Sequence, residues 1–439
     1  MAENDREINR MENPIIPESL DKATFFDIEM QECPYHLHTR LREEAPVWKD
    51  NNTGFFVVTR YDDVRRILGD TTHFSSQRNK EAEQVNKERA AKVQQYLSEK
   101  GWLPAPTLAL LDNPQHAQLR AMFDNVFRES RLKMLDPIVE QLAHSLIDKF
   151  IDDGKAEFYT AFAVPLPLII IGRQMGVPDK DIWKIKSWTD SWVRRTGLMV
   201  DDDASYWDAI DKEIEAQHYF QAYFERLRKQ PDGTLLSDLV NNEVPGWGRP
   251  MNDNELHGEM MADTFVGGSE TSTNSFTAGL VLLDQNPDAF AKVKSNPDKY
   301  LRPFVEEVLR LDSPVQSRIR IVRKEFELHG VTIPVGATVD LRYGAANRDQ
   351  RHFPEPEKLD LDRKNAASHM AFGAGVHHCL GAPLARRELL WGFKAIFERF
   401  DEIKLAPGKN KLRHIPNFWL RGLKELHVEF KKSNAPSKA

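Results

Sequence analysis

Cys379 closes the run Phe372-Gly373-Ala374-Gly375-Val376-His377-His378-Cys379-Leu380-Gly381. Gly373 and Gly375 permit backbone angles that other residues resist, so a tight turn is expected there. From Leu380 to Phe400 apolar residues recur at helical spacing (Leu384, Leu389, Leu390, Phe393, Ile396). A helix is therefore expected to begin at the cysteine, with its first free N–H groups pointing back toward the sulfur. Such a setting favours thiolate over thiol, the form that ligates a soft metal. On these residues alone three readings stand: a small buried hydrophobe, a zinc site using His377, His378 and Cys379, or a thiolate ligand to another metal centre. Neighbouring residues rarely reach one tetrahedral ion, and no second ligand pair stands at zinc-like spacing, which counts against zinc.

Three further groups carry potential chemistry. His116 and Arg120 lie four apart at an expected helix start, on one helical face. Alone they read as a solvated surface. Phe265-Val266-Gly267-Gly268-Ser269-Glu270-Thr271 lies inside the longest helical pattern, Asp253 to about Asp284, with Asn252, Asp253 and Asn254 as cap candidates. Two mid-helix glycines cost about 2 kcal/mol against alanine, so they need a reason. That reason is either close helix–helix contact or a notch for a small ligand, with Glu270 and Thr271 beside it to manage protons. Glu307 and Arg310 are spaced by three in an expected helix from Pro303 to Leu311, with Val305, Val308, Leu309 and Leu311 around them. An exposed pair there is worth under about 1 kcal/mol; these neighbours point instead to a buried one.

The Phe-Gly-x-Gly-x-His-x-Cys-x-Gly run closely resembles the haem-binding loop of the cytochrome P-450 family. The other groups match that family in order: Asp112-x-Pro114-x-His116-x-x-x-Arg120, Gly267-Gly268-x-Glu270-Thr271 and Glu307-x-x-Arg310. The similarity runs from about Pro34 to Phe430. It implies a mainly α fold with small β-sheets in one large domain, residues 34–430. Residues 1–33 form a partly ordered N-terminal segment and residues 431–439 a tail. Haem b would lie between the oxygen-binding helix and the helix after the cysteine loop. By resemblance Cys379 ligates the iron, and His116, Arg120, Arg320 and His377 donate to the haem propionates. Gly267, Gly268, Phe372 and Gly381 adjoin the haem, Thr271 hydrogen-bonds the oxygen bound at the iron, and Glu270 helps deliver protons. Glu307 and Arg310 are structural; their usual third partner, an arginine, aligns with Lys358, which cannot form a bidentate fork.

The resemblance implies a monooxygenase that places one atom of O2 into a small-to-medium hydrophobic substrate, by C–H hydroxylation or oxidative O-demethylation. Electrons would come from NAD(P)H through a reductase and a ferredoxin-type donor. The Ala345-Ala346-Asn347-Arg348-Asp349 stretch looks like that of bacterial members. A haem-binding sensor without turnover needs no proton relay, and peroxygenase members usually lack the acid–alcohol pair that is intact here. Carried over by chain order, the pocket would be lined by Trp102, Leu103, Leu108, Trp188, Trp192, Phe265, Val315, Phe418 and Trp419, an apolar set suited to a hydrophobic ring compound. Arg318 is the exception. It reads either as a further propionate donor or solvent-facing residue, or as an anchor for a substrate carboxylate.

The elements needed to hold these groups are mostly helical. Helices are expected at Pro34 to Glu44, Tyr61 to Leu68, Leu132 to Phe150, Pro165 to Met175, Asp181 to Thr196, Tyr206 to Lys229 and Pro287 to Ser295. Strands are expected at Gly54 to Thr59, Val322–Leu328, Val331–Ile333, Ala337–Leu341 and across Phe418 to Phe430. Gln77 to Lys100 is polar without a core face and reads as exposed and mobile. The 439 residues, 41% hydrophobic and 29% charged, carry a formal charge of −7, which argues against nucleic-acid binding. Two cysteines, Cys33 and Cys379, fit a reducing compartment better than a disulfide framework. Met1 to Met11 is charged and lacks an apolar signal region, and no apolar run reaches the roughly 18 residues of a membrane span. A cytoplasmic location is expected.

Overall fold

Helical spacing of apolar residues is what places the site-bearing elements of the computed structural model, which describes residues 19–77, 87–197 and 202–433. The charged Met1–Met11 segment and residues 434–439 of the tail lie outside the described residues. So does 78–86 of the stretch expected to be mobile. The fold is mainly helical with small sheets, in a single domain. No described helix is long and apolar enough to cross a membrane.

Most expected elements form close to their bounds, among them Tyr35–Glu44, Tyr61–Gly69, Pro165–Gln174, Ile182–Thr196 and Asp203–Lys229. Others differ: the expected strand Val322–Leu328 is split between Ser317–Val322 and Phe326–Leu328, and the helix expected from Pro303 starts at Pro297. Lys87–Lys100 is a helix, not a mobile stretch: Val93 and Leu97, with Tyr96, pack it on Ile210 and Ile214, and Tyr96 donates to Asp211 at 2.7 Å. The expected helix from Leu132 breaks into Glu129–Lys133 and Asp136–Asp148, with Pro137 in the first turn of the second, where its missing N–H costs nothing. The expected strand from Phe418 narrows to His427–Lys432. The chain before it makes only single bridges, Val315 to Leu420 and His414 to Leu423.

The main sheet runs Val47–Lys49, Phe56–Val58, Thr338–Arg342, Ser317–Val322, Phe74–Ser75. Phe56–Val58 and Thr338–Arg342 are parallel, and the other pairs are antiparallel. Ser317–Val322 opens six residues after the helix Pro297–Leu311, and its register sets Arg318 opposite Leu341 and Arg320 opposite Val339. Spaced by two, both arginines leave the same face of the strand.

The long pattern from Asp253 is not one α-helix. Asn252 and Glu255 form a capping box at its start, Asn252 Oδ1 accepting from the Glu255 N–H at 3.0 Å and Glu255 Oε2 from the Asn252 N–H at 2.7 Å. Asp253–Glu259 is α-helical, Met260–Glu270 winds as a π-helix, and Thr271–Gln285 is α-helical again. A π-helical stretch is rare and costs regular hydrogen bonding, so its position over Val266-Gly267-Gly268 marks the segment as more than a packing element.

Candidate active site

The cysteine loop is fixed from three sides. Its own backbone closes the turn, the Cys379 N–H donating to the Phe372 carbonyl at 2.9 Å. Gly373 and Gly375 have φ of +66° and +70°, and a Cβ at Gly375 would fall 2.3 Å from the Leu68 carbonyl oxygen, so only glycine fits. From below, Glu306 accepts from Arg386 at 2.7 Å and pairs with His369 at 3.1 Å, while the Arg386 guanidinium lies 4.5 Å from the Phe372 ring centre. Burial works against the Glu306 carboxylate, but His369 and Arg386 outweigh it and hold its pKa down to about 2.

The helix after the loop begins at Ala382, three residues later than expected, with Gly381 as its cap residue. Cys379 is exposed. Even so, the surrounding protein raises its thiol pKa, and the backbone N–H groups of Gly381 and Ala382, with Arg120 and Arg318, pull only part of the way back. The helix start thus only partly offsets the effect of burial on the thiol.

His116, Arg120, Arg320 and His377 are brought together. The two imidazole rings are 4.1 Å apart between centres, and His116 Nε2 is buried without a partner. Burial, then Arg320 and His116, push His377 down to about 3; burial and Arg120 lead the lowering at His116. Arg320 is buried, and its hydrogen bond goes to its neighbour Ile319, at 2.8 Å. Arg120 donates to the His378 carbonyl at 2.8 Å and pairs with Asp124. Donors outnumber acceptors in this cluster, which suits a group bearing two carboxylates.

On the π-helical segment the two glycines divide the two readings between them. Gly267 is exposed, and a Cβ there would meet only the Ala262 carbonyl, at 3.7 Å. Gly268 turns the other way, where a Cβ would come within 3.2 Å of Ile171, and so serves helix–helix contact. Thr271 Oγ1 donates to the Gly267 carbonyl at 3.1 Å. Glu270 is buried, 3.2 Å from Lys186 Nζ, and accepts from Thr189 at 3.1 Å; Lys186 also binds Asp190. Burial raises the Glu270 carboxyl against the pull of Lys186. Burial would lower Lys186, but Glu270, Tyr159 and Asp190 outweigh it and keep it charged.

Several residues expected to line a substrate pocket are buried and packed against other side chains. Trp188 and Phe265 are 2% and 0% exposed, packed edge-on against Tyr219 and face-to-face with Phe220. Phe418 lies with Phe26 and Arg342 against the N-terminal part of the chain. Leu108 belongs to the main core and Val315 to the core of the sheet. Chain order places a residue near a pocket but does not say which way it turns. Trp102 packs on His257, Leu103 on the Val93–Leu97 cluster, and Trp192 and Trp419 are half-buried. Arg318 is exposed.

The chain is similar over nearly its whole length to bacterial haem proteins. It is 31% identical to the polyketide biosynthesis cytochrome P450 PksS of Bacillus subtilis, over 92% of this chain and 97% of that one. With the cytochrome P450 monooxygenase PikC of Streptomyces venezuelae it shares 31% identity over 91% of each. The structure of PksS superimposes with a TM-score of 0.80 at 29% identity, covering 93% of this chain and all of the other. The family model for cytochrome P450 matches residues 204–425. The chain belongs to the cytochrome P450 family. It is thereby an oxidoreductase of the monooxygenase kind, with a thiolate-ligated haem as the family's cofactor. The residues fit that group: one accessible cysteine, a donor cluster in need of carboxylates, and a glycine that keeps the helix surface open.

Sequence reasoning missed four residues of this P450 site. Arg363, not Lys358, is the third member of the Glu307–Arg310 group, 3.1 Å from Glu307, while Lys358 contributes only its carbonyl to Arg310 and pairs at the surface with Glu355. Lys186 pairs with Glu270 from a different helix. Asp263 accepts from the Ala109 N–H at 3.1 Å. Glu388 lies buried next to the threonine turn, accepting from Ser272 at 2.7 Å, with its other oxygen unpartnered. Burial pushes Glu388 up to about 8, which makes a prediction. Its folded pKa lies above the ordinary 4.5, so the folded state keeps a proton that the unfolded state loses. Stability from this group is full below pH 4.5 and is lost at about 1.4 kcal/mol per pH unit as pH rises toward 8. Glu388→Gln removes that slope. Denaturant unfolding across the range checks it, and parallel curves for both proteins contradict it.

Proposed function

We propose that this P450 binds haem b through Cys379 and oxidises a hydrophobic organic molecule by C–H hydroxylation or O-demethylation, with electrons passed from NAD(P)H through a reductase and a ferredoxin-type donor. The observation that carries the reading is the intact acid–alcohol pair beside an exposed glycine. Bound haem supplies the reactive iron centre, its thiolate favouring O–O cleavage. His116, Arg120, Arg320 and His377 would hold its carboxylates. Thr271, anchored on the Gly267 carbonyl, presents a hydroxyl at the open side of the helix. Behind it, Glu270 with Lys186 and Thr189 forms a buried polar chain able to hold and pass a proton toward that hydroxyl. Named relatives act in polyketide biosynthesis or on steroids, and a structure of P450BioI carries an acyl carrier protein ligated with a hexadecenoic acid. Steroids and a hexadecenoyl chain are largely apolar, which supports a hydrophobic substrate here.

The test is electron accounting in the reconstituted system with labelled O2. One labelled oxygen atom is expected in the wild type, in the alcohol formed by hydroxylation or in the formaldehyde released by O-demethylation. Thr271→Ala keeps haem and substrate binding but diverts most electrons to hydrogen peroxide, with product per NAD(P)H down by about 10²-fold. Product formed as efficiently by the variant contradicts the role given to Thr271, and absence of label from both the oxidised product and any released formaldehyde contradicts the reaction.

A further inference from the structure

We propose that Arg318 is the substrate anchor of this enzyme, and that its substrates are largely apolar acids whose carboxylate this guanidinium binds. The inference rests on the monooxygenase reading above and names its substrate class.

Arg318 and Arg320 leave the same face of one strand but meet different surroundings. Arg320 is buried among His116 and His377, where Arg120 completes a donor set sufficient for two carboxylates. Arg318 is exposed, and its hydrogen bond, to the Ser317 carbonyl, is weak at 3.4 Å. Among the described residues no carboxylate lies within ion-pair distance of it. Its charge reaches both Cys379 and Asp263. Arg318 thus projects, exposed, from the same strand face as Arg320, near both the cysteine loop and the π-helical segment.

The acids nearest that segment are otherwise engaged. Glu259 accepts from the Leu108 N–H at 2.6 Å and Asp263 from the Ala109 N–H, so the two dock residues 107–109 onto the helix. Both carboxylates are thus held by backbone N–H groups, and neither forms an ion pair with Arg318. A cationic substrate would meet an unpaired guanidinium of like sign. A neutral one would leave it unmatched. A carboxylate accepts two parallel N–H bonds from arginine, a fit that lysine does not reproduce.

The test is optical titration of the ferric holoenzyme with dodecanoic acid and its methyl ester, and with biphenylcarboxylic acid and its methyl ester. Wild type is expected to bind at least one acid about tenfold or more tightly than its ester. Arg318→Gln should abolish that preference, and Arg318→Lys restore only part of it, with haem content and the thiolate spectrum unchanged. Absence of acid preference in both pairs overturns the proposal. So does a preference that survives Arg318→Gln, or loss of haem in that variant, which would place Arg318 with the propionate donors. Failure of the family-level chemistry would show separately, as a ferric spectrum without thiolate character before any ligand is added.

Discussion

Glu307→Gln is expected to destabilise the protein by about 3–5 kcal/mol, more than any surface charge substitution. One carboxylate with no exposed side-chain surface serves two buried guanidinium groups. Arg310 donates to it twice, at 2.6 and 2.9 Å, and Arg363 lies 3.1 Å away. The Asp360 N–H donates to the same carboxylate at 2.9 Å. Arg310 in turn spends its other N–H groups on the carbonyls of Asn347, Pro356 and Lys358. Neutralising Glu307 leaves two cations in the interior with no counter-charge, and the cost is that of an uncompensated buried charge. The damage is not remote from the chemistry. Glu306, the next residue, holds Arg386 and His369 under the cysteine loop, so movement of this helix loosens the loop as well. Haem should be released at a lower temperature. Chemical unfolding of the holoenzyme checks the loss, with Lys358→Ala as control; its pair with Glu355 is exposed and worth under about 1 kcal/mol. Equal small losses in both variants contradict this account of the core.

Features that depend on neighbours in the chain were legible in the sequence, and those that depend on partners from elsewhere were not. The cysteine loop, the glycine pair and the Glu307–Arg310 spacing lie within single stretches, where backbone demands and helical spacing show directly. The π-helical winding at Met260–Glu270 leaves the apolar pattern nearly unchanged, so periodicity reads it as ordinary helix. Lys186 and Glu388 reach the threonine region from helices distant in the chain. No local spacing announces a buried lysine paired with Glu270, or a glutamate kept protonated behind Ser272. Arg363 was hidden because an irregular loop sets its distance from Glu307, and counting residues chose Lys358. The orientation of the pocket candidates was hidden for a related reason. A tryptophan or phenylalanine such as Trp188 or Phe265 has the same apolar signature whether it lines a chamber or fills the core behind it.

Replacing Cys379 should have the largest effect on function. The donor cluster can hold haem by its carboxylates without the cysteine, so Cys379→Ser is expected to fold and to retain some haem. What it loses is the sulfur, the one soft ligand at the loop, and with it the electron donation that favours O–O cleavage. Monooxygenase turnover should fall to background. Cys33, the other cysteine, is half-buried near the start of the chain and serves as the control. The decisive measurement is the absorption spectrum of the reduced, carbon monoxide-bound protein for wild type, Cys33→Ser and Cys379→Ser. Wild type and Cys33→Ser are predicted to share the band of thiolate-ligated haem, and Cys379→Ser to lose it. A histidine-type band in the wild type, or a thiolate band that survives in Cys379→Ser, would contradict the assignment of Cys379 as the haem ligand.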